Sequence, residues 1–218
     1  MGSHAYGVLL NELGISAAGY RTQDIDVARA TRLAVALPEG LDLRALLGES
    51  GLPFVPVPGM PSHRPSTSFK LPGAEALALD LLVPGAQLGE VLPVAELAAH
   101  GQAIPLLDFL VAKPIDAVVL SPNQVIPVQV PSPERFLLHK LFSSQSRRTG
   151  HDKIRKDLTQ AAVIAAALEE ETPGRISDAL RRMPAAGKLA IKRGARALLQ
   201  VVDLANSPAR PLFSKIAS

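Results

Sequence analysis

The spacing of apolar residues changes several times over residues 1–131 and predicts both helices and strands. An apolar helical pattern covers residues 5–13 and ends at Gly14, and an extended pattern predicts a strand over 21–27. Pro and Gly are frequent over 51–65, which predicts a loop. Further strands are predicted at 66–71, 77–83, 117–120 and 125–130, and short helices at 42–47, 93–100 and 105–110. This mixture is typical of an α+β domain with a mixed sheet.

The pattern changes after Pro131, where apolar residues begin to recur with a period near 3.6. Ser132 is a candidate N-cap for the first helix of this part. The predicted helices cover 132–146, 153–168, a segment from Ile176, and 187–204. We therefore predict two domains: residues 1–131, which carry the mixed sheet, and residues 132–218, which form a helical domain.

Composition excludes several classes of protein. Hydrophobic residues make up 47% of the chain, which is enough for a core, and the chain has no cysteine. Disulfides, thiolate zinc sites and cysteine nucleophiles are excluded, and a reducing compartment is expected. The longest apolar runs are far shorter than a membrane span, and no signal peptide precedes the first motif. We expect a cytoplasmic protein without a membrane partner.

Positive charge is concentrated in the C-terminal part of the chain. The net charge is only +3, but residues 135–157 contain seven Lys and Arg residues against two Asp. Residues 181–210 contain seven more basic residues. This distribution is typical of a surface that meets phosphates or nucleic acid. The alternative is a set of solvated helix faces.

Asp24 and Asp26 are the strongest candidates for chemistry. Residues two apart in a strand point to the same face, so their carboxylates repel each other unless a cation lies between them. Magnesium takes such oxygen ligands, often together with substrate phosphates. Upstream, Gly2 and Ser3 precede an apolar helix pattern, and backbone N–H groups at a helix N-terminus suit a phosphate. The pattern indicates metal-assisted chemistry on a nucleoside triphosphate.

Asp80 is a lone charge in the apolar strand over 77–83. A buried carboxylate requires a cation or hydrogen bonds. If this strand neighbours the one that carries Asp24 and Asp26, the three carboxylates form a nest that can hold two divalent ions. The alternative is a structural ion pair between Asp80 and Lys70 or Arg21.

These motifs together resemble those of a known superfamily. The N-terminal sequence Gly-Ser-His-Ala-Tyr, the strand Thr-Gln-Asp-Ile-Asp and the later Asp80 resemble bacterial nucleotidyltransferase-fold proteins of the DNA polymerase β-type superfamily. Residues 131–136, 139–141 and 155–158 resemble the helical half of these proteins and of the related toxin-type (abortive infection) nucleotidyltransferases. The resemblance covers most of residues 1–170.

The resemblance implies a nucleotidyltransferase fold and specific roles for seven residues. The metal-binding and catalytic residues would be Asp24, Asp26 and Asp80. The residues that contact or orient the nucleotide or the acceptor would be Gly2, Ser3, Lys140 and Asp157. The implied cofactor is Mg²⁺ (or Mn²⁺), and the substrate is a nucleoside triphosphate. In this family a hydrophobic strand normally precedes the Gly-Ser turn, so we expect either that the chain is truncated at its N-terminus or that the domain over 1–131 lacks that strand.

The predicted function is metal-dependent transfer of a nucleotide to an acceptor hydroxyl on RNA, protein or a small molecule. One alternative is a catalytically silent protein of the same fold that binds nucleotide or nucleic acid. Another is an interaction module formed by helices 132–218. Single residues also have alternatives: Gly2 and Ser3 as remnants of a purification tag, Lys140 snorkelling to solvent, and Asp157 pairing with Lys153 or Lys156. The sequence has no evident interface that would fix an oligomeric state.

Overall fold

The computed structural model describes residues 2–17, 23–29, 42–73, 77–146 and 150–218. The chain divides into two compact units. The first contains residues 1–4 and 20–108, and the second contains residues 5–19 and 109–218. Helix α1 (Gly2–Glu12) and helix α3 (Leu107–Val111) each begin in the first unit and end in the second.

The first unit is built on a six-stranded mixed sheet. Its strands are β1 (Asp24–Ala28), β2 (Val55–Pro56), β3 (Ser68–Lys70), β4 (Ala78–Pro84), β5 (Val91–Val94) and β6 (Ala99–Ile104). Strand β4 is central, since it pairs in parallel with β1 and β6 and antiparallel with β3. The short helix α2 (Leu43–Gly48) begins after Asp42, whose carboxylate accepts a hydrogen bond from the Ala45 N–H at 2.5 Å. Asp42 is therefore the N-cap of the short helix predicted at 42–47.

The second unit combines a hairpin with helices. Its elements after α3 are β7 (Pro114–Ser121), β8 (Gln124–Pro131), α4 (Pro133–Ser146), α5 (His151–Glu171), α6 (Arg175–Arg181), α7 (Ala185–Val201) and α8 (Arg210–Ala217). Helix α4 packs against α5, α6 and α7. Gly194 allows α7 to approach α4 closely, because a Cβ there would lie 2.4 Å from the Leu141 carbonyl oxygen. No helix in the described ranges is long and apolar enough to cross a bilayer.

Most predicted elements are confirmed, and together the elements confirm an α+β fold with a mixed sheet and a C-terminal helical region. The helix predicted at 93–100 is wrong. Strands β5 and β6 occupy this segment, joined by one 3-10 turn at Ala95–Leu97. Strand β6 pairs with both β4 and β5, Val94 is fully buried, and Gly101 lies directly against Val83. These contacts between strands stabilise the extended form of the segment. Tertiary packing here outweighs the helical appearance of the sequence. Helix α8 was not predicted.

The division into units differs from the boundary predicted at Pro131. Residues of α1 group with the helical part, and the Tyr6 ring stacks on the Phe136 ring with centroids 6.3 Å apart. The hairpin β7–β8 also belongs to the second unit. At the start of α4, the Ser132 carbonyl accepts bonds from the Arg135 and Phe136 N–H groups. The buried Ser132 hydroxyl has no hydrogen-bond partner in the described structure, so the predicted side-chain cap is not formed.

Candidate active site

The register of the sheet places the predicted carboxylates on one face. Asp26 of β1 is opposite Asp80 of β4, and Ser68 of β3 is also opposite Asp80. Asp24 lies two residues before Asp26 and therefore on the same face. The neighbouring position on β4, Leu81, points to the other face, where it is buried in an apolar cluster. One face of the sheet thus carries the core, and the other carries the acidic residues.

Ser68 holds one oxygen of Asp80. Its Oγ donates a hydrogen bond to Asp80 Oδ1 at 2.5 Å. Within the described residues Asp80 makes no ion pair with Lys70, and Arg21 lies outside them. Sequence reasoning did not find Ser68. In the sequence, Ser68 is marked only by the polar run Ser66-Thr67-Ser68 at the start of a short strand. Its position opposite Asp80 follows from the register between β3 and β4.

The start of helix α1 contacts Asp26. Gly2 has a φ of +63°, and a Cβ at this residue would lie 2.1 Å from Asp26 Oδ2. The next residue, Ser3, is buried. The first N–H groups of a helix have no partner within the helix and carry partial positive charge. The structure therefore brings Gly2, the first of the two predicted phosphate-binding residues, to the predicted metal-binding residue Asp26.

Lys140 and Asp157 form a buried ion pair in the second unit. Lys140 Nζ donates to Asp157 Oδ1 at 2.7 Å, and the two side chains are 11% and 3% exposed. Ser143 Oγ lies 3.4 Å from Asp157 Oδ2, and Lys140 Nζ lies 5.2 Å from the centre of the Phe136 ring. Lys140 does not snorkel to solvent, so that alternative is wrong. The bond holds the Lys140 ammonium against Asp157, and contact of either residue with a nucleotide or an acceptor stays a prediction.

A comparison with protein families identifies the chain. Residues 1–184 match the model of a family described as nucleotidyltransferase. The chain belongs to this nucleotidyltransferase family. No curated protein and no solved structure matches the chain. The matched segment contains all of the predicted site residues, from Gly2 to Asp157.

The donor atoms of this nucleotidyltransferase fit a divalent ion that arrives with its substrate. Among the described residues, no three His, Asp or Glu side chains are grouped closely enough to hold an ion by themselves. Asp24, Asp26 and Asp80 thus share one sheet face but do not form a closed nest of three carboxylates, and one Asp80 oxygen is bonded to Ser68. Mg²⁺ commonly binds one or two carboxylates, with substrate phosphates and waters as the other ligands. Asp26 and Asp80, side by side, supply such a pair.

A cavity of about 220 Å³ opens on the sheet face that carries Asp24, Asp26 and Asp80, which we call the acidic row. Its lining includes Ser68 and Gln102, and Gln102 is opposite Leu82, two residues along β4 from Asp80. The Ser68 and Gln102 positions therefore lie on the same sheet face as the carboxylates. Arg64 adds a positive charge to the lining. The cavity thus reaches the sheet face of the carboxylates through Ser68, the residue that bonds to Asp80, and Asp80 itself does not line it.

Ser68→Ala should weaken metal binding by about 10- to 100-fold, because it removes the hydrogen bond that orients Asp80. The measurement is a calorimetric titration of Mg²⁺ in the presence of a nucleoside triphosphate. Ser214→Ala, at an exposed position of α8, is the control and should bind as wild type does. Equal affinity of the two variants would contradict a positioning role for Ser68.

Asp157→Ala should destabilise the protein by about 3–5 kcal/mol, because the Lys140 ammonium would stay buried without its partner. The double variant Lys140→Met, Asp157→Leu should cost much less, since it removes both charges and keeps the site filled. Urea denaturation gives both free energies of unfolding. If the double variant is as unstable as the single one, the loss of stability arises from packing and not from the unpaired Lys140 charge.

Proposed function

We propose that this nucleotidyltransferase uses Mg²⁺ (or Mn²⁺) and a nucleoside triphosphate to transfer a nucleotide to an acceptor hydroxyl. General nucleotidyl transfer follows from family membership. The metal, the nucleotide and the acceptor are our proposals. The observation that carries them is the register of Asp26 beside Asp80, with Gly2 against Asp26. Carboxylates on neighbouring strands supply the oxygen ligands that Mg²⁺ takes, and the start of a helix beside them suits a phosphate.

The residues would share the reaction as follows. Asp24, Asp26 and Asp80 would hold the divalent ions, which when bound neutralise charge on the attacking hydroxyl and on the leaving pyrophosphate. The N–H groups at Gly2 and Ser3 would hold triphosphate oxygens at the helix N-terminus. This division suits a reaction that depends mainly on positioning and charge stabilisation.

The bond changes are those of a displacement at phosphorus. The acceptor oxygen bonds to the α-phosphorus, the bond from that phosphorus to the bridging oxygen breaks, and pyrophosphate leaves. Ser68 engages Asp80 Oδ1, so Asp80 Oδ2 is the oxygen that we propose to receive the acceptor proton. In this arrangement Ser68 fixes the carboxylate and Asp80 assists the attack.

We propose RNA as the acceptor, ahead of a protein side chain or a small molecule. Support comes from exposed basic residues of the helical region, among them Lys153, Arg155, Lys188 and Arg193, because Lys and Arg clusters attract a phosphate backbone. The resemblance to toxin-type nucleotidyltransferases leads us to propose a related bacterial role in growth inhibition or phage defence, by analogy of fold. The cysteine-free composition supports a cytoplasmic location for this activity.

The test is a transfer assay with each of the four α-labelled ribonucleoside triphosphates. RNA and protein fractions serve as separate acceptors, with Mg²⁺, Mn²⁺ or EDTA, and pyrophosphate release is followed in parallel. Label in RNA that requires the metal is the expected result. Metal-dependent nucleotide binding without pyrophosphate release would instead support the catalytically silent alternative. The proposed function is wrong if no nucleoside triphosphate binds in the presence of either Mg²⁺ or Mn²⁺.

A further inference from the structure

The second unit contains a cavity of about 490 Å³ that shares no lining residue with the cavity at Ser68 and Gln102. It lies where α4 and α6 meet the chain before β7. Four cationic and two anionic side chains line it: Lys113, Arg135, Arg175, Arg182, Glu134 and Asp178. The lining therefore carries an excess of positive charge, and all six residues belong to one unit.

Both acidic side chains of this cavity already have cationic partners. Glu134 Oε2 lies 2.9 Å from Arg175 Nε, and Asp178 Oδ1 lies 2.5 Å from Arg181 Nη2. Lys113 and Arg182 make no ion pair with any residue in the described parts of the chain. Two positive charges at the cavity thus remain without compensation by the protein.

Arg135 supplies a fixed guanidinium on the wall of the cavity. Its side chain is buried, donates to the Phe109 carbonyl and lies over the Phe109 ring, with 4.5 Å from Cζ to the ring centre. Burial lowers the pKa of Arg135, the charge of Glu134 opposes this, and the like charge of Arg182 lowers it further. Repulsion between Arg182 and the partly desolvated Arg135 guanidinium raises the free energy of the protein when no ligand is bound. A bound anion would reduce this repulsion.

We propose that this cavity binds a phosphate group, which Lys113 and Arg182 contact from the exposed side and Arg135 from the buried side. Guanidinium groups match phosphate oxygens through paired N–H donors. The volume is within the range of small-molecule pockets and exceeds that of one phosphate, so the group would be part of a nucleotide. That nucleotide is either free or a unit of an RNA chain. The RNA alternative rests on the proposed function, whereas binding of a free nucleotide does not depend on it.

The experiment measures binding of adenosine monophosphate and of a short 5′-phosphorylated RNA, each in EDTA at low salt. EDTA removes divalent ions and so abolishes the metal-dependent part of binding at the acidic site, and the comparison with the double variant isolates the part that arises from the cavity. The variant is Lys113→Gln, Arg182→Gln, and the matched control is Lys188→Gln, an exposed lysine of α7 outside the cavity. Circular dichroism melting checks that each variant is folded.

We expect the double variant to bind about 10- to 100-fold more weakly, because it loses two charge-assisted contacts, and the control to bind as wild type does. For RNA, the slope of log affinity against log salt should fall by about one for each lost phosphate contact. Binding of the monophosphate alone assigns a free nucleotide, and binding of RNA alone assigns the backbone.

Two results would overturn the proposal: no binding of either ligand by wild type, or equal binding by wild type and the double variant. Because the assay contains no metal and no triphosphate, its outcome is separate from that of the transfer assay. A chain that binds phosphate here but transfers no nucleotide would keep this site and lose the proposed function.

Discussion

Asp26→Asn should lower kcat/KM for metal-dependent nucleotide transfer by about 10³-fold or more, because it removes a charged ligand at the centre of the acidic row. Asp26 is beside Asp80 on the neighbouring strand and touches the start of α1 at Gly2. An amide of the same shape keeps the packing and loses the charge that attracts the ion. The loss should therefore affect metal affinity and turnover, while the protein stays folded.

The matched control for this variant is Asp152→Asn, at an exposed position in the first turn of α5. Both substitutions remove one negative charge, so a difference between them reports position and not net charge. Transfer of label and calorimetric titration of Mg²⁺ with triphosphate are measured on both proteins. Full activity of the Asp26 variant would show that the acidic row takes no part in the reaction.

Gly2→Ala should reduce the same activity by about 100-fold, the effect expected when reacting groups are displaced by about 1 Å. The added Cβ would lie 2.1 Å from Asp26 Oδ2, so the carboxylate or the helix start must move. The φ of +63° at Gly2 also disfavours a residue with a Cβ. The substitution therefore acts on the geometry of the site without removing any charge.

Gly7→Ala, on the same helix, is the control for Gly2. Among the described residues, no atom outside the surrounding turns of α1 lies within 4 Å of a Cβ at Gly7, and an alanine in a helix interior should stabilise the protein by up to about 1 kcal/mol. Thermal melting and transfer assays are run side by side on both variants. If Gly2→Ala is as active as Gly7→Ala, Gly2 has no part in the site, as its interpretation as a tag remnant requires.

The features that the sequence predicted correctly depend on local interactions. The period of two over β1 places Asp24 and Asp26 on one face wherever the strand pairs. Asp42 caps α2 through a bond to an N–H only three residues away. The turn between β7 and β8 and the helical period of α4, α5 and α7 are equally local. These elements were predicted because neighbouring residues are sufficient to specify them.

Other features exist only through contacts between distant segments. Residues 93–100 have a helical sequence pattern but form parts of β5 and β6. Pairing with β4 and burial of Val94 stabilise the extended form more strongly than the local pattern stabilises a helix. Residues 5–12 of α1 belong with the helical unit, since Tyr6 finds its aromatic partner in α4. No periodicity within either segment carries this information.

The candidate site shows the same division. The sequence determined which residues carry charge and that two of them share a strand face, because strand geometry is a local property. Only the tertiary structure decided that Asp26 and Asp80 are opposite each other, that Ser68 bonds to Asp80, and that Gly2 touches Asp26. These relations depend on the register between strands and on where α1 begins, which are set by packing over the whole first unit.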